Sequence, residues 1–276
     1  MGAGLGLALS AGGYAVTLLV RTERPTPSGV GRSAGEAAWR APLGAAAVVI
    51  VATPDGAITD AATALAGLGI VGSGHVVLHL SGLLDRRALA PLEPTGAGLG
   101  SFHPLQAVAD PASAPARLHG SYAALEGDPA AVAAGERLAR AVGMTPVAIT
   151  AAAKPAYHAA AAMASNYVVA LADTARRVAE AGGVPAAMAR DMYLPLMRGT
   201  VENVFERGAA AALTGAIRRG DAGTVAAHLT ALSGADRELY VRLGAEALRL
   251  AVEAGLGTEA AQRVEAVLRG AGGGSA

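Results

Sequence analysis

Residues 47–55 of the chain read AVVIVATPD, a run of aliphatic and β-branched side chains that ends at a threonine, a proline and an aspartate. Continuous apolar character of this length predicts a strand buried on both faces, as in a parallel sheet covered by helices. Residues 75–82 (HVVLHLSG) and 98–106 (GLGSFHPLQ) repeat the pattern, each with polar side chains after the apolar run. We therefore expect a parallel sheet whose carboxyl edge carries polar groups.

Short apolar runs alternate with Ala/Leu-rich segments through the first half of the chain, which is the pattern of βα units. Strands are expected at residues 15–20, 47–52, 75–80, 98–102, 122–126 and 145–149, and helices at residues 5–11, 58–68, 85–92 and 129–142. From residue 151 onward helical spacing replaces the strand pattern. The sequence thus predicts an α/β Rossmann-type parallel sheet domain over residues 1–150 and an all-α domain over residues 151–276, with an active site between them.

The amino terminus resembles part of a dinucleotide-binding fingerprint. Residues 2–9 read GAGLGLAL, with G-x-G-x-G spacing rather than G-x-G-x-x-G and no strand before it. A first helix of about three turns, at about 3.6 residues per turn, fits between Gly2 and the strand at residues 15–20. We expect Gly2 to be the third glycine of the fingerprint, with the first strand and two glycines upstream of Met1 and two strands left without their central neighbour. The alternative is an ordinary Ala/Gly-rich helix.

Cofactor preference is indicated at the end of the strand at residues 15–20, where NAD enzymes place a carboxylate. The chain has Arg21 and Thr22 there, with Arg24 close by. Guanidinium groups suit a 2′-phosphate, so NADP (NADPH) is favoured over NAD. The alternative is that these arginines are simply solvated.

The nicotinamide half of the cofactor is expected at the carboxyl edge of the sheet. Thr53 and Pro54 follow one strand, and Ser81 and Gly82 follow the next. We assign all four to cofactor binding.

Composition excludes several classes of protein. The 276 residues are 53% hydrophobic and 16% charged with zero formal net charge, which argues against disorder and against a nucleic-acid partner. The absence of cysteine excludes disulfides and thiolate metal sites, and we expect no metal. No apolar run is long enough to span a bilayer comfortably. These features predict a cytoplasmic protein that acts on a small molecule.

Lys154 is the one lysine among 22 basic residues, the other 21 being arginine. A lysine that survives such a bias indicates a need for an ammonium that can donate to an oxygen and release a proton. Pro155 suits a first helical turn, which places Lys154 at the positive pole of a helix and lowers its pKa. The alternative is chance survival on a solvated surface.

Polar clusters at the strand ends and around Lys154 suggest a site for hydride transfer to a carbonyl, whose oxygen needs a donor as negative charge grows. Lys154 is the first candidate donor, and His103 and His158 are the second choices. Lys154 and His158 share a helix face, and Asn166, two turns beyond His158, would orient the substrate. Ser101 and His103 are assigned to substrate binding. The alternative for each histidine is a satisfied buried side chain.

Several stretches together resemble a known family. They are VVIVATPDGAI (48–58), VVLHLSGLL (76–84), GSFHPLQA (100–107), KPAYHAAAAMASNYVVAL (154–171) and LTGAIRRGDAGTVAAHL (213–229). The chain is similar to proteins that join a Rossmann-like domain to the carboxy-terminal domain of unknown function 2520, which share their domain plan with pyrroline-5-carboxylate reductases and 6-phosphogluconate dehydrogenase relatives.

The resemblance implies catalytic roles for Lys154 and Asn166. It also implies that Thr214, Arg219, Asp221 and His228 lie near the substrate, although Thr214 and Asp221 equally suit helix caps.

The expected activity is therefore NADP-dependent transfer of hydride to a small 2-oxo acid. The resemblance makes ketopantoate the best single candidate, with Arg219 pairing with its carboxylate. One alternative is a pyrroline-5-carboxylate or imine reductase, and another is a non-catalytic NADP-binding protein. An apolar helix face in the second domain predicts a homodimer.

Overall fold

The computed structural model describes residues 1–22 and 28–272 of the chain. Arg24 lies outside the described residues. The chain divides into two compact units, Met1–Asn166 and Tyr167–Ala276. The last strand ends at Ala148, close to the expected domain boundary at residue 150, whereas the division into compact units follows Asn166.

Unit 1 combines strands with helices. Its strands are β1 (Thr17–Val20), β2 (Gly31–Ala34), β3 (Val48–Val51), β4 (Val76–His79), β5 (Gly98–Leu105), β6 (Tyr122–Gly127) and β7 (Thr145–Ala148). Its helices are α1 (Gly2–Ala11), α2 (Glu36–Ala45), α3 (Ile58–Gly67), α4 (Ala114–Leu118), α5 (Pro129–Ala141) and α6 (Lys154–Ala164).

The described strands form two sheets. β1 pairs with β2, and the larger sheet has the order β3-β4-β5-β6-β7. All pairs are parallel except β5 with β6, which is antiparallel. The expected Rossmann-type fold is confirmed, with one antiparallel pair inside a sheet that was expected to be parallel.

Helix α1 packs across both sheets. A Cβ on Gly2 would lie 2.5 Å from Cβ of Ala52, just after β3, and a Cβ on Gly6 would lie 3.2 Å from Cδ2 of Leu18 in β1. Only glycine permits the first approach. Within the described chain, β1 and β3 each occupy the edge of a separate sheet. The end of β3 lies beside the amino terminus of α1.

Both faces of the larger sheet are buried. Successive residues of β4 point to opposite faces, so Leu78 joins a core with Phe102 and Leu5, whereas Val77 joins a second core with Ile58. This double burial explains why the strands read as continuous apolar runs.

Several elements differ from the expectations, and helices α2 and α4 are among those that were not predicted. Residues 85–92 were expected to form an α-helix, but Arg86–Thr95 is a 3-10 helix that contains Pro91 and Pro94, which cannot donate the backbone hydrogen bonds of an α-helix. Strand β2 was not predicted because its sequence, GRSA, lacks the β-branched residues that mark the other strands.

Unit 2 is helical. Its helices are α7 (Asn166–Ala181, which starts at the last residue of unit 1), α8 (Ala186–Met192), α9 (Leu194–Arg207), α10 (Ala209–Ala212), α11 (Gly215–Arg218), α12 (Ala222–Ala231), α13 (Gly234–Glu253) and α14 (Thr258–Gly272). Its core contains Val225, Leu248 and Val264. Over the described ranges, no helix is both long and apolar enough to cross a membrane.

Candidate active site

The polar residues that follow β4 and β5 meet the start of α6 at the carboxyl edge of the larger sheet. His79 ends β4 and pairs in register with Ser101 of β5. β5 then continues past its parallel partner to His103, beside the turn that contains Gly82. This is the edge at which Rossmann-type sheets bind ligands.

The amine of Lys154 is fully buried in unit 1. Its Nζ donates to the Ser81 carbonyl oxygen at 3.2 Å and to Oγ of Ser101 at 2.8 Å. The Ser101 hydroxyl in turn donates to Oε2 of Glu126 at 3.4 Å. Glu126 also accepts a hydrogen bond from the backbone N–H of Arg86 at 2.9 Å. The buried amine of Lys154 and the buried carboxyl group of Glu126 are thus joined through one hydroxyl.

Burial changes the pKa of both ends of this chain. It lowers the pKa of Lys154, against the opposing effect of Glu126, Asp85 and Asp55. It raises the pKa of Glu126. The lowered lysine pKa was expected, but its main cause is removal from water rather than the helix dipole.

His79 holds the turn after β4 in place. Its Nδ1 accepts the backbone N–H of Ser81 at 3.2 Å, so Nε2 carries the proton that is donated to the Asp85 carbonyl oxygen at 3.0 Å. Burial lowers the pKa of this histidine, which keeps it neutral. The Ser81 hydroxyl donates to Oδ2 of Asp55 at 2.8 Å and accepts the backbone N–H groups of Leu83 and Leu84. The hydrogen bonds of the Ser81 hydroxyl therefore hold this turn in place.

Two histidines and a tyrosine meet beside Gly82. Nδ1 of His103 lies 2.8 Å from the hydroxyl of Tyr157, with the rings perpendicular. The His103 and His158 ring centres are 6.0 Å apart. A Cβ on residue 82 would lie 2.7 Å from Cδ2 of His158 and 2.9 Å from Nε2 of His103, so glycine permits this packing.

The pKa values of His103 and Tyr157 move in opposite directions. Burial, reinforced by His158 and Lys154, lowers the pKa of His103 to about 4. Burial raises the pKa of Tyr157 to about 12. At neutral pH the pair is therefore a neutral imidazole and a protonated phenol.

Asn166 does not continue the helix that carries Lys154. α6 ends at Ala164, Ser165 has a non-helical φ of −123°, and α7 begins at Asn166. The expectation that Asn166 lies two turns beyond His158 assumed one continuous helix, and that assumption is wrong. The Asn166 side chain is exposed.

The residues assigned to the cofactor follow the strand ends as expected. Arg21 and Thr22 are exposed after β1, and Thr53 and Pro54 are exposed after β3. Gly2 begins α1 against the end of β3.

Thr214, Arg219 and Asp221 lie in unit 2. Asp221 caps α12, accepting the N–H of Thr224 at 2.9 Å, so it has the capping role given as the alternative. Thr214 precedes α11 without a side-chain capping bond inside the described ranges, and Arg219 is exposed.

Glu126 and Tyr157 complete the site and were not among the predicted site residues. Tyr157 adjoins His158 in the sequence, and its position one turn after Lys154 was the available signal. Glu126 gave no such signal, because its position behind Ser101 depends on the antiparallel pairing of β5 with β6.

Comparison with known proteins gives a family match and several similar folds. Residues 121–247 match the family described as a domain of unknown function, DUF2520, as the sequence resemblance predicted. No curated protein matches the sequence.

Among solved structures, a protein from Thermotoga maritima is 26% identical, with a TM-score of 0.63 over 75% of this chain and 79% of that chain. A proposed NADP oxidoreductase from Bacteroides fragilis is 19% identical, with a TM-score of 0.63 over 90% and 93%. The Plasmodium falciparum pyrroline carboxylate reductase with NADP bound is 12% identical, with a TM-score of 0.54 over 97% and 95%. These structures share the fold of this chain.

Proposed function

We propose that the chain is an NADP-dependent oxidoreductase that reduces the carbonyl of a small 2-oxo acid. The observation that carries this proposal is the meeting of His103, Tyr157 and Gly82 with the buried amine of Lys154 at the carboxyl edge of a Rossmann-type sheet. Hydride addition to a carbonyl places negative charge on oxygen, and this edge offers both a hydrogen-bond donor and a nearby positive charge.

The residues at this edge fit the cofactor. Gly2 lets the amino terminus of α1 approach the end of β3, where its backbone N–H groups can face a pyrophosphate. Arg21 follows β1 and can pair with a 2′-phosphate, with Thr22 beside it. Thr53, Pro54 and the Ser81-Gly82 turn would border the nicotinamide half. When bound, NADPH would supply the hydride. Two proteins with a similar fold, the proposed NADP oxidoreductase from Bacteroides fragilis and the Plasmodium falciparum reductase with NADP bound, support this choice.

Four residues of the chain have proposed roles in the reduction. His103 donates from Nε2 to the substrate oxygen, and His158 lies beside it as a second donor. Lys154 touches Ser81 and Ser101 rather than open space, so it acts by placing a positive charge behind the turn and by holding β5 to that turn. Asn166 remains our candidate for orienting the substrate.

Further substrate contacts are proposed from the sequence resemblance alone. Thr214, Arg219 and Asp221 are the candidates, and Arg219 would pair with the substrate carboxylate. We keep the assignment of residues 1–150 to the nucleotide and of residues 151–276 to substrate binding and dimerisation.

A cyclic imine is the second candidate substrate. The pyrroline carboxylate reductase and an imine reductase from Myxococcus stipitatus share the fold, the latter at 15% identity and a TM-score of 0.54. An iminium carbon accepts hydride and becomes an amine without a proton from the protein. Reduction of an imine therefore needs less proton donation from His103 than reduction of a carbonyl does.

The test is oxidation of NADPH, followed by absorbance, with ketopantoate, other 2-oxo acids and pyrroline-5-carboxylate as substrates and with product identification. We expect turnover of a 2-oxo acid, a preference for NADPH over NADH, and loss of turnover in His103→Gln. Turnover of the imine alone, unaffected by His103→Gln, would favour the second candidate. NADPH binding without any turnover would make the chain a non-catalytic NADP-binding protein.

A homodimer in the cytoplasm is part of this proposal. No residue of α9 is buried in the single chain, and Phe205 is 86% exposed. Apolar side chains also lie exposed on α7 and α8, among them Val169 and Met188. Exposed apolar surface of this extent is typical of a subunit interface.

A further inference from the structure

We propose that Tyr157 holds His103 as the Nε2–H tautomer and relays a proton through it to the substrate oxygen. Tyr157 is a positioning residue in this proposal, because it acts through His103. The relay rests on the proposed carbonyl reduction, whereas the tautomer is a property of the chain alone.

The hydrogen bond itself favours this tautomer. A phenol is a good donor and the unprotonated nitrogen of a neutral imidazole is a good acceptor, so the Tyr157 hydroxyl donates to Nδ1 of His103 at 2.8 Å. A neutral imidazole carries one proton, which then belongs to Nε2. The perpendicular rings, with centres 5.6 Å apart, keep the hydroxyl at the ring edge.

The surroundings of His103 keep it neutral. Three charged or titratable groups face it besides Tyr157: His158 and Lys154 from α6, and Asp55 from the turn after β3. Lys154 and His158 oppose a positive charge on the ring, and Asp55 favours one. Burial outweighs Asp55, and the pKa of His103 falls to about 4. At neutral pH the Nε2–H group of His103 is therefore a hydrogen-bond donor on an uncharged ring. Such a donor can serve a developing oxyanion.

Nε2 is open to a ligand. Within the described ranges, the buried side-chain nitrogen or oxygen that lacks a hydrogen-bond partner is Nε of Arg237. Nε2 of His103 has no hydrogen-bond partner among the described residues and is not one of their buried unpartnered atoms, so solvent reaches it. It lies beside Gly82, where a Cβ would come within 2.9 Å of it.

The proton transfer balances as follows. As hydride adds to the carbonyl carbon, the π electrons move to oxygen, the Nε2–H bond breaks and an O–H bond forms. Nδ1 takes the proton of the Tyr157 hydroxyl, so the imidazole stays neutral and changes tautomer. The phenolate then takes back the proton from Nδ1, and Nε2 takes a proton from solvent, so both side chains return to their starting forms and the net proton comes from solvent. The raised pKa of Tyr157, about 12, makes phenol a better-matched donor to an alkoxide than an imidazolium would be.

The first test is the tautomer of His103, measured by ¹⁵N NMR on the full chain at neutral pH without cofactor. We expect the Nε2–H form in the wild type and a mixture of forms in Tyr157→Phe. His228 and Tyr240 offer a matched control, because they form the same bond at 2.8 Å with perpendicular rings in unit 2. Tyr240→Phe should change the signals of His228 and leave those of His103 unchanged.

The second test is kinetic. Tyr157→Phe should lower kcat by about 10²-fold with little change in KM, because general acid catalysis contributes at least that much. Tyr14→Phe is the control for activity, since Tyr14 is exposed in the segment between α1 and β1 and is not among the residues assigned to the site. The Nδ1–H form in the wild type, or an unchanged tautomer and kcat in Tyr157→Phe, overturns the proposal. A wild type that shows the expected tautomer but reduces no carbonyl overturns the proposed function and the relay, and leaves the positioning role established.

Discussion

Oγ of Ser101 lies 2.8 Å from Nζ of Lys154, and this hydroxyl links the lysine to Glu126. The three residues come from β5, α6 and β6, so one chain of hydrogen bonds fastens three elements behind the candidate site. When one of two oppositely charged buried groups is removed, the charge on the other is left unpaired and destabilises the fold.

Lys154→Met should therefore destabilise the folded chain. It removes two hydrogen bonds and leaves Glu126 buried without its positive partner, at a cost of about 2–4 kcal/mol in the free energy of unfolding. Urea denaturation measures this cost. Arg249→Met is the control, because Arg249 forms its ion pairs on the exposed surface of α13 and should leave the urea midpoint unchanged. A Lys154→Met chain as stable as the wild type would show that the amine is solvated rather than buried.

The stability of the chain should decrease as the pH is lowered, because His103 and His79 stay neutral in the folded chain. The pKa of His103, about 4, lies below its value in the unfolded chain, and that of His79 is also lowered. Above about pH 6.5 neither state is protonated at these positions, and stability is fully present. Between about pH 6.5 and 4 the unfolded chain takes up protons that the folded chain does not, so the free energy of unfolding falls.

His103→Gln separates this effect from other titrations. Over the same pH range the variant should show a shallower loss of stability than the wild type, because one of the two neutral histidines is gone. Glu126 acts in the opposite direction in both proteins, since its raised pKa makes ionisation costly as pH rises. Equal slopes in the two proteins would mean that His103 titrates normally.

The sequence predicts the strands better than the site. Runs such as residues 48–51 predict buried strands because double burial requires continuous apolar character, whereas β2 was missed because GRSA has none. The bond between His103 and Tyr157 joins residues 54 positions apart, and no local spacing encodes it. Lys154 was identified as a candidate because it is the one lysine in the chain. Its burial, however, depends on contacts with two strands and a turn. Packing of this kind becomes visible only when the sheet order is known.

Arg21→Ala should weaken the preference for NADPH over NADH. Arg21 is exposed after β1, where it can pair with the 2′-phosphate, and losing one exposed charged hydrogen bond is expected to raise KM for NADPH about tenfold. KM for NADH should stay constant. Arg140→Ala is the control, since Arg140 pairs with Glu136 on the surface of α5. An equal change for both cofactors would place Arg21 away from the phosphate.

Phe205→Glu should convert a dimer into a monomer. Phe205 is 86% exposed on α9, and a carboxylate in an apolar interface is strongly disfavoured. Size-exclusion chromatography with light scattering gives the mass. Tyr122→Glu places the same charge on an exposed aromatic position of unit 1 and should leave the mass unchanged. A wild type with the mass of one chain would contradict the proposed dimer.

Gly82→Ala should disturb the two histidines of the site directly. The added methyl would lie 2.7 Å from His158 and 2.9 Å from His103, and rigid rings can relieve such contacts only by moving away from the turn. We expect a cost of about 1–3 kcal/mol in the free energy of unfolding, altered ¹⁵N signals of His103 and lower activity. Gly56→Ala is a close control, because Gly56 follows β3 near the same edge, has no positive φ and would place its methyl in open space. If both variants unfold at the same urea concentration and keep the wild-type histidine signals, the rings do not pack on residue 82. A loss confined to Gly82→Ala would show that a bare glycine backbone is what brings His103 and His158 together.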